Sequence, residues 1–211
     1  MFVHSVAGTA PGRLKASRPS LLDISAQTLV ARPASSLAEV AEAAGVSRTT
    51  LHKHYATRED LLRAVGHRAI DLWEQAVDEV AGLSEAPDGG LSALTAALVP
   101  SGPQLAFLWR TPALDGDAEL HERSKAVEGR CLAVLRRAQE RGVLRAGVPD
   151  WWLLETFYAL IYVAAESVDS GYLAARDAPG LALDTLLRGL GATTGPPAAQ
   201  PPTALPPTTR L

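Results

Sequence analysis

Residues 36 to 58 constrain this chain more than any other stretch: Ser36-Leu-Ala-Glu-Val-Ala-Glu-Ala-Ala-Gly-Val-Ser-Arg-Thr-Thr-Leu-His-Lys-His-Tyr-Ala-Thr-Arg58. Ser36 followed three residues later by Glu39 is a capping box, the sequence mark of a helix start. Leu37, Val40, Ala41 and Ala44 then follow at helical spacing. Gly45 stands where the chain must take a positive φ, a conformation open to glycine without steric penalty. Val46 is the expected buried hinge, and Ser47 caps a second short helix, Arg48 to Tyr55. Only Leu51 and Tyr55 are large and apolar in that helix, and they are four apart, so they share one face. Arg48, Thr49, Thr50, His52, Lys53 and His54 make up the remainder, all able to donate hydrogen bonds and none acidic. A thin apolar seam beneath a donor-rich outer face is what a helix-turn-helix presents to a major groove. A solvated helix face in an ordinary bundle is the bland alternative.

Ala44-Gly-Val-Ser-Arg-Thr-Thr-Leu-His-Lys-His-Tyr55, continued by Ala56-Thr-Arg-Glu-Asp-Leu-Leu62, resembles the DNA-binding domain of the TetR family of bacterial transcriptional regulators. The likeness spans roughly residues 18 to 70. It departs from the family pattern at Leu29, where an aromatic is usual, at Ala31-Arg-Pro33, where a glycine is usual, and at His52, where a tyrosine is usual. The resemblance implies an all-α fold: an N-terminal three-helix DNA-binding domain with the helix-turn-helix, and a C-terminal helical domain for ligand binding and dimerisation. It also implies a small-molecule pocket, pairing of two copies through the last two helices, and transcriptional regulation. The residues expected on DNA are Ser47, Arg48, Thr49, Thr50, His52, Lys53, His54 and Arg58, with His52 and Arg58 on backbone oxygens. A double-stranded operator, a small organic effector and a second copy of the chain are then the expected partners, and no cofactor is expected.

Charge is distributed in keeping with this division. Net charge is −3, yet residues 1–70 hold nine Lys or Arg against five Asp or Glu, while residues 71–211 hold eleven against eighteen. The basic excess lies with the proposed phosphate-facing unit. A single cysteine, Cys131, excludes an intramolecular disulfide or a multi-cysteine zinc site. No sequence run is read as a membrane span and no secretory signal opens the chain, so a cytoplasmic protein is expected.

The boundaries follow from composition and periodicity. Residues 1–17 are expected to be a flexible arm. Arg13 and Lys15, with the adjoining Arg18, give it the means to lie along a phosphate backbone, and a leader that touches nothing is the other reading. Residues 18–66 form the DNA-binding domain: a first helix from Ser20 to Arg32, stopped by Pro33, then the helix-turn-helix. Thr57 with Asp60 starts a long fourth helix, carrying Leu61, Leu62, Val65, Ala69, Leu72, Trp73, Ala76, Val77 and Val80 inward. Residues 67–191 form the second domain. Short pieces at 91–99 and 103–110 are expected to be divided by Pro100-Ser-Gly-Pro103, and a charged helix follows from Ala118 to Arg141. The run Trp151–Ala165 is apolar almost all round and needs cover on both sides. With a last helix at Gly180–Leu190 it suggests a four-helix dimer interface. Residues 192–211, rich in Pro, Thr and Ala, are expected to be a disordered tail.

No nucleophile elbow, phosphate-binding glycine loop or paired-carboxylate motif is evident, so an enzyme is not expected. His67 with Asp71, and His121-Glu122, read better as surface pairs than as metal sites. Trp73, Phe107, Trp109, Tyr158 and Tyr162 fall on separate helices able to converge on a cavity, with Glu155 adding a polar contact; these are the expected ligand-binding residues. A helical-bundle ligand-binding protein or enzyme, whose N-terminal unit does not read DNA, is the alternative.

Overall fold

The computed structural model describes residues 20–192. The basic arm with Arg13, Lys15 and Arg18, and the tail from residue 193 onward, lie outside the described residues.

Nine α-helices follow one another among the described residues: α1 (Leu21–Ala31), α2 (Leu37–Ala43), α3 (Arg48–His54), α4 (Arg58–Ala81), α5 (Leu91–Leu98), α6 (Gly102–Arg110), α7 (Ala118–Glu140), α8 (Asp150–Asp169) and α9 (Ala178–Leu190). Local sequence chemistry sets their starts. Ser20 with Asp23, Ser36 with Glu39, and Thr57 with Asp60 each close a full capping box, and Ser47 and Asp117 cap α3 and α7 through the side chain alone. Each such cap satisfies backbone N–H groups that the first turn leaves without a partner, stabilising the helix by about 1 kcal/mol.

The first three helices surround a small core of Ala26, Leu29, Val40, Ala41 and Leu51, closed by the first turns of α4 through Leu61, Leu62 and Val65. In α1 the inward face differs from the expected stripe. Ser25, Ala26, Thr28 and Leu29 are buried, whereas Leu21, Leu22 and Ile24 are only partly covered. The Ser25 and Thr28 hydroxyls donate to carbonyls four residues back, so burial leaves neither unsatisfied. Arg68 on α4 pairs with Asp23 at 3.2 Å and fixes α1 against the long helix.

The two pieces expected on either side of Pro100-Ser-Gly-Pro103 are present as α5 and α6. A short 3-10 turn, Val99–Ser101, splices α5 to α6, and both prolines sit in first-turn positions where no N–H is needed. The spliced unit Leu91–Arg110 therefore reaches the length and apolarity of a membrane-spanning helix, which the sequence reading did not anticipate. A packing reason accounts for its composition: it runs through the core, against α1, α4 and α8, with Leu91, Leu94, Leu98, Leu105 and Phe107 buried. The crossing with α8 is so close that a Cβ on Gly102 would lie 2.1 Å from the Ala165 Cβ.

Helix α4 runs from the helix-turn-helix into this second core, burying Ile70, Trp73, Val77 and Val80 along its length. Along its other side it is stitched to α7. Arg123 donates to Asp71 at 2.7 Å and to both carboxylate oxygens of Glu74 at 3.0 and 2.7 Å, and Arg130 bonds Asp78. Helices α8 and α9 pack along one another at the far end.

Candidate DNA-reading face and effector site

The outer face of α3 is built by one anchor. Leu51 is fully buried and Tyr55 half-buried, while Arg48, Thr49, Thr50, His52, Lys53 and His54 are all exposed. Gly45 turns the chain with φ +67°, and the half-buried Val46 packs against the core, so α3 is swung across α2 with its polar side outward. His52, Lys53 and His54 crowd its last turn, where the helix dipole favours positive charge. Two of the expected DNA residues have local duties. The Ser47 hydroxyl accepts the Thr50 N–H at 3.0 Å and lies 2.8 Å from the Thr50 hydroxyl, so this pair holds the helix start as well as facing solvent.

Arg58 is placed differently from the expectation. Its guanidinium donates to the carbonyls of Ser35 and, at 2.6 Å, of Pro33, clamping the loop between α1 and α2. A glycine-free turn through Pro33 leaves those carbonyls without helical partners, and the nearest cation takes them. Position beside a helix N-terminus suggested a phosphate ligand; in this structure the loop carbonyls hold the side chain.

The second cluster forms where α4, α6, α7 and α8 meet. Trp73 and Tyr158 pack edge to face at 5.4 Å, Trp73 and Trp109 at 5.9 Å, and Trp109 leans over Tyr158 at 4.9 Å. Trp73 is fully buried and Tyr158 nearly so, whereas Trp109 is 38% exposed. Neither the Trp73 Nε1–H nor the Tyr158 hydroxyl has a hydrogen-bond partner among the described residues, although the Cys131 thiol lies against both. Burial pushes the Cys131 thiol up, and burial together with Cys131, Glu128 and Glu155 pushes the Tyr158 hydroxyl far up. The Glu128 carboxyl is also raised, first by burial and then by the charge of Glu155, with His121 opposing.

Three of the six expected ligand residues therefore converge, Trp73, Trp109 and Tyr158, and Glu155 sits at their edge. Phe107 is buried in the core instead, and Tyr162 turns elsewhere. Its hydroxyl accepts from Arg110 at 3.0 Å beside a cleft of about 330 Å³ between α1, α6 and α8, walled also by Gln27, Glu166 and Asp169. Glu128 and Cys131 were missed. A signal existed: Glu128 directly follows the buried Val127, and Cys131 lies one turn on.

His67 does not pair with Asp71. It lies 3.6 Å from Asp117 and 3.8 Å from Glu119, at the joint between α4 and the start of α7. Among the described residues no three His, Cys, Asp or Glu side chains gather as a metal site would require.

Helix α8 covers only one side of itself. Leu153, Phe157, Tyr158, Ile161, Ala164 and Ala165 are buried, while Trp151 and Trp152 remain 48% and Val163 56% exposed, alongside Leu181 of α9 at 53%.

Comparison with known proteins agrees with this architecture. The sequence profile described as "Bacterial regulatory proteins, tetR family" matches residues 22–65, which span α1 to the first turns of α4. The HTH-type transcriptional repressor LfrR of Mycolicibacterium smegmatis is 30% identical over 160 residues, covering 76% of this chain and 83% of that protein. The HTH-type transcriptional regulator NfxB of Pseudomonas aeruginosa is 29% identical over 145 residues, covering 67% and 77%. The crystal structure of LfrR in complex with proflavine superposes with a TM-score of 0.65 at 26% identity, covering 82% of this chain and 95% of that one. With the helix-turn-helix in place and this relationship running through both halves, the chain belongs to the TetR family of DNA-binding transcriptional regulators.

Proposed function

We propose that the protein is a homodimeric repressor that sits on a near-palindromic operator and is released by a small organic effector. The observation that carries this reading is the outer face of α3: six exposed donor side chains, no acid, and a single buried leucine beneath. Ser47, Arg48, Thr49, Thr50, His52, Lys53 and His54 are assigned to the DNA, with Lys53 on phosphate and Thr49 and His54 at base edges. Arg58 shapes the loop beside them. The exposed apolar strip of α8 and α9 is assigned to the second copy. Two copies related by a two-fold axis would set two α3 helices in successive major grooves.

Residues 18–66 act as the reader and 67–191 as the effector-binding and pairing domain, a division that falls inside α4. That helix is the lever, since its first turns close the DNA-side core and its later turns carry Trp73 into the aromatic cluster. An effector that binds the non-operator spacing of the dimer better than the operator spacing lowers DNA affinity by that difference in binding free energy. An organic effector is supported by LfrR, which crystallised with proflavine.

The test is a mobility-shift titration of the full chain against promoter fragments at rising salt, with and without small organic compounds. Retardation that weakens steeply with salt and is relieved by a compound is expected. Retardation that no salt concentration affects, or none at all, would leave the helical-bundle alternative.

A further inference from the structure

We propose that Trp73, Trp109 and Tyr158, with Glu128 and Glu155 beside them, form a recognition site for a flat organic cation. This rests on reading the C-terminal cluster as the effector site and adds the chemical class of the effector.

The argument begins with what the cluster lacks. Two carboxylates, on α7 and α8, lie close enough for Glu155 to act on Glu128, and both act on the Tyr158 hydroxyl. Among the described residues no guanidinium or ammonium pairs with either. Arg130, one turn from Glu128's neighbours on α7, is held by Asp78, and Arg123 by Asp71 and Glu74. His121, about two turns before Glu128 on α7, is the one basic side chain among the described residues that offsets the rise of the Glu128 carboxyl. Two like charges at the rim of a buried aromatic cluster repel one another, and an entering positive charge turns that repulsion into attraction.

The rings supply the complementary half. Aromatic faces carry negative potential, and a desolvated cation over Trp or Tyr gains substantially from it. Trp73 and Tyr158 are buried and fixed, whereas Trp109 is partly exposed, near the C-terminal end of α6, and covers Tyr158 at 4.9 Å. Trp109 thus occupies the place that a flat ligand would take against Tyr158, and it is the wall free to move outward. The Tyr158 hydroxyl and Trp73 N–H are buried without a hydrogen-bond partner among the described residues, the hydroxyl able to accept from and the N–H able to donate to a polar substituent on the ligand's ring. A neutral hydrocarbon could use the rings, but would leave the carboxylates without relief.

The test uses the full-length protein without DNA and two ligands of one shape: N-methylacridinium, permanently charged, and acridine at a pH where it is neutral. Binding is followed by tryptophan quenching and calorimetry. The wild-type protein is expected to prefer the cation by about tenfold or more, and the Glu128→Gln/Glu155→Gln double variant to lose that preference while still binding acridine. Equal affinity for the two ligands, or a preference that survives the double substitution, overturns the cation class and leaves an effector site. Binding of neither overturns both for this cluster, while salt-sensitive operator binding would still uphold the regulator. Retained acridine binding reports that the double variant is folded; should it fail to fold, Glu155→Gln alone, at an exposed position, must reduce the preference or the proposal falls.

Discussion

Helices α3 and α8 both leave a face without a partner, and the two faces are opposites. Seven residues long, α3 buries only Leu51 and shows solvent a row of donors; α8 is 20 residues long, buries one whole side, and shows solvent Trp151, Trp152 and Val163. A short polar helix gains little from its own fold, so its exposed chemistry is selected for what it meets. A long apolar helix half in water is unfavourable until covered: roughly 25 cal/mol for each Å² of apolar surface returns when it is. On the proposed reading the first face meets a polyanion and the second another copy of the chain.

The sharpest way to break this contrast is to charge the apolar face. Val163→Asp with Leu181→Asp should convert a dimer to a monomer in sedimentation, and operator affinity should fall by about a hundredfold or more as linkage of two half-sites is lost. An unchanged sedimentation coefficient would mean that the exposed strip is not the pairing surface. Leu51→Ala comes next. It empties the only anchor under α3 and should destabilise the N-terminal helices by about 2–4 kcal/mol in a urea melt.

Smaller effects sharpen the division of labour on the donor face. Lys53→Ala should weaken operator and random DNA alike and reduce the slope of log affinity against log salt by about 1, whereas Thr49→Ala or His54→Ala should change which base pairs are preferred, by about 1–3 kcal/mol at a position. Arg58→Ala should lower stability by about 1 kcal/mol through the freed Pro33 and Ser35 carbonyls and leave the salt slope where it was. A reduced slope would return Arg58 to the phosphates.

The smallest effect concerns pH. Burial alone would raise the Asp23 carboxyl, yet hydrogen bonds from Ser20 and the Arg68 guanidinium outweigh it and hold the group below its ordinary range. The folded state therefore binds the proton less well than the unfolded one. Its contribution is complete above the ordinary carboxylate range and is lost as pH falls below about 4. Thermal melts from pH 6 to 3 should show a shallower acid loss for Asp23→Asn than for the wild type.

These residues also show why some features were legible in the sequence and others not. The capping boxes at Ser36 and Thr57, the Gly45 turn and the Leu51 anchor are decided within four residues, and the structure has each where spacing put it. The clamp that Arg58 makes was not legible because its partners lie 23 and 25 residues away, in a loop whose course no local pattern sets. Pro100 and Pro103 mark the joint between α5 and α6 as their spacing indicates, whereas the 3-10 turn that carries the chain across it goes with the packing of α6 against α1 and α8, which no local pattern records. In the aromatic cluster, Trp73, Trp109 and Tyr158 meet because three helices cross there, and Tyr162, one turn beyond Tyr158, is drawn aside by Arg110.

Selection of bound duplexes from a random library by the full-length protein tests the central claim most directly. The account predicts an enriched near-palindrome whose half-site centres lie about one helical turn apart, or a whole multiple of that, with two chains on each duplex and Arg48→Ala abolishing enrichment. Enrichment of a lone asymmetric site by a single chain, or no enriched sequence at all, would contradict it.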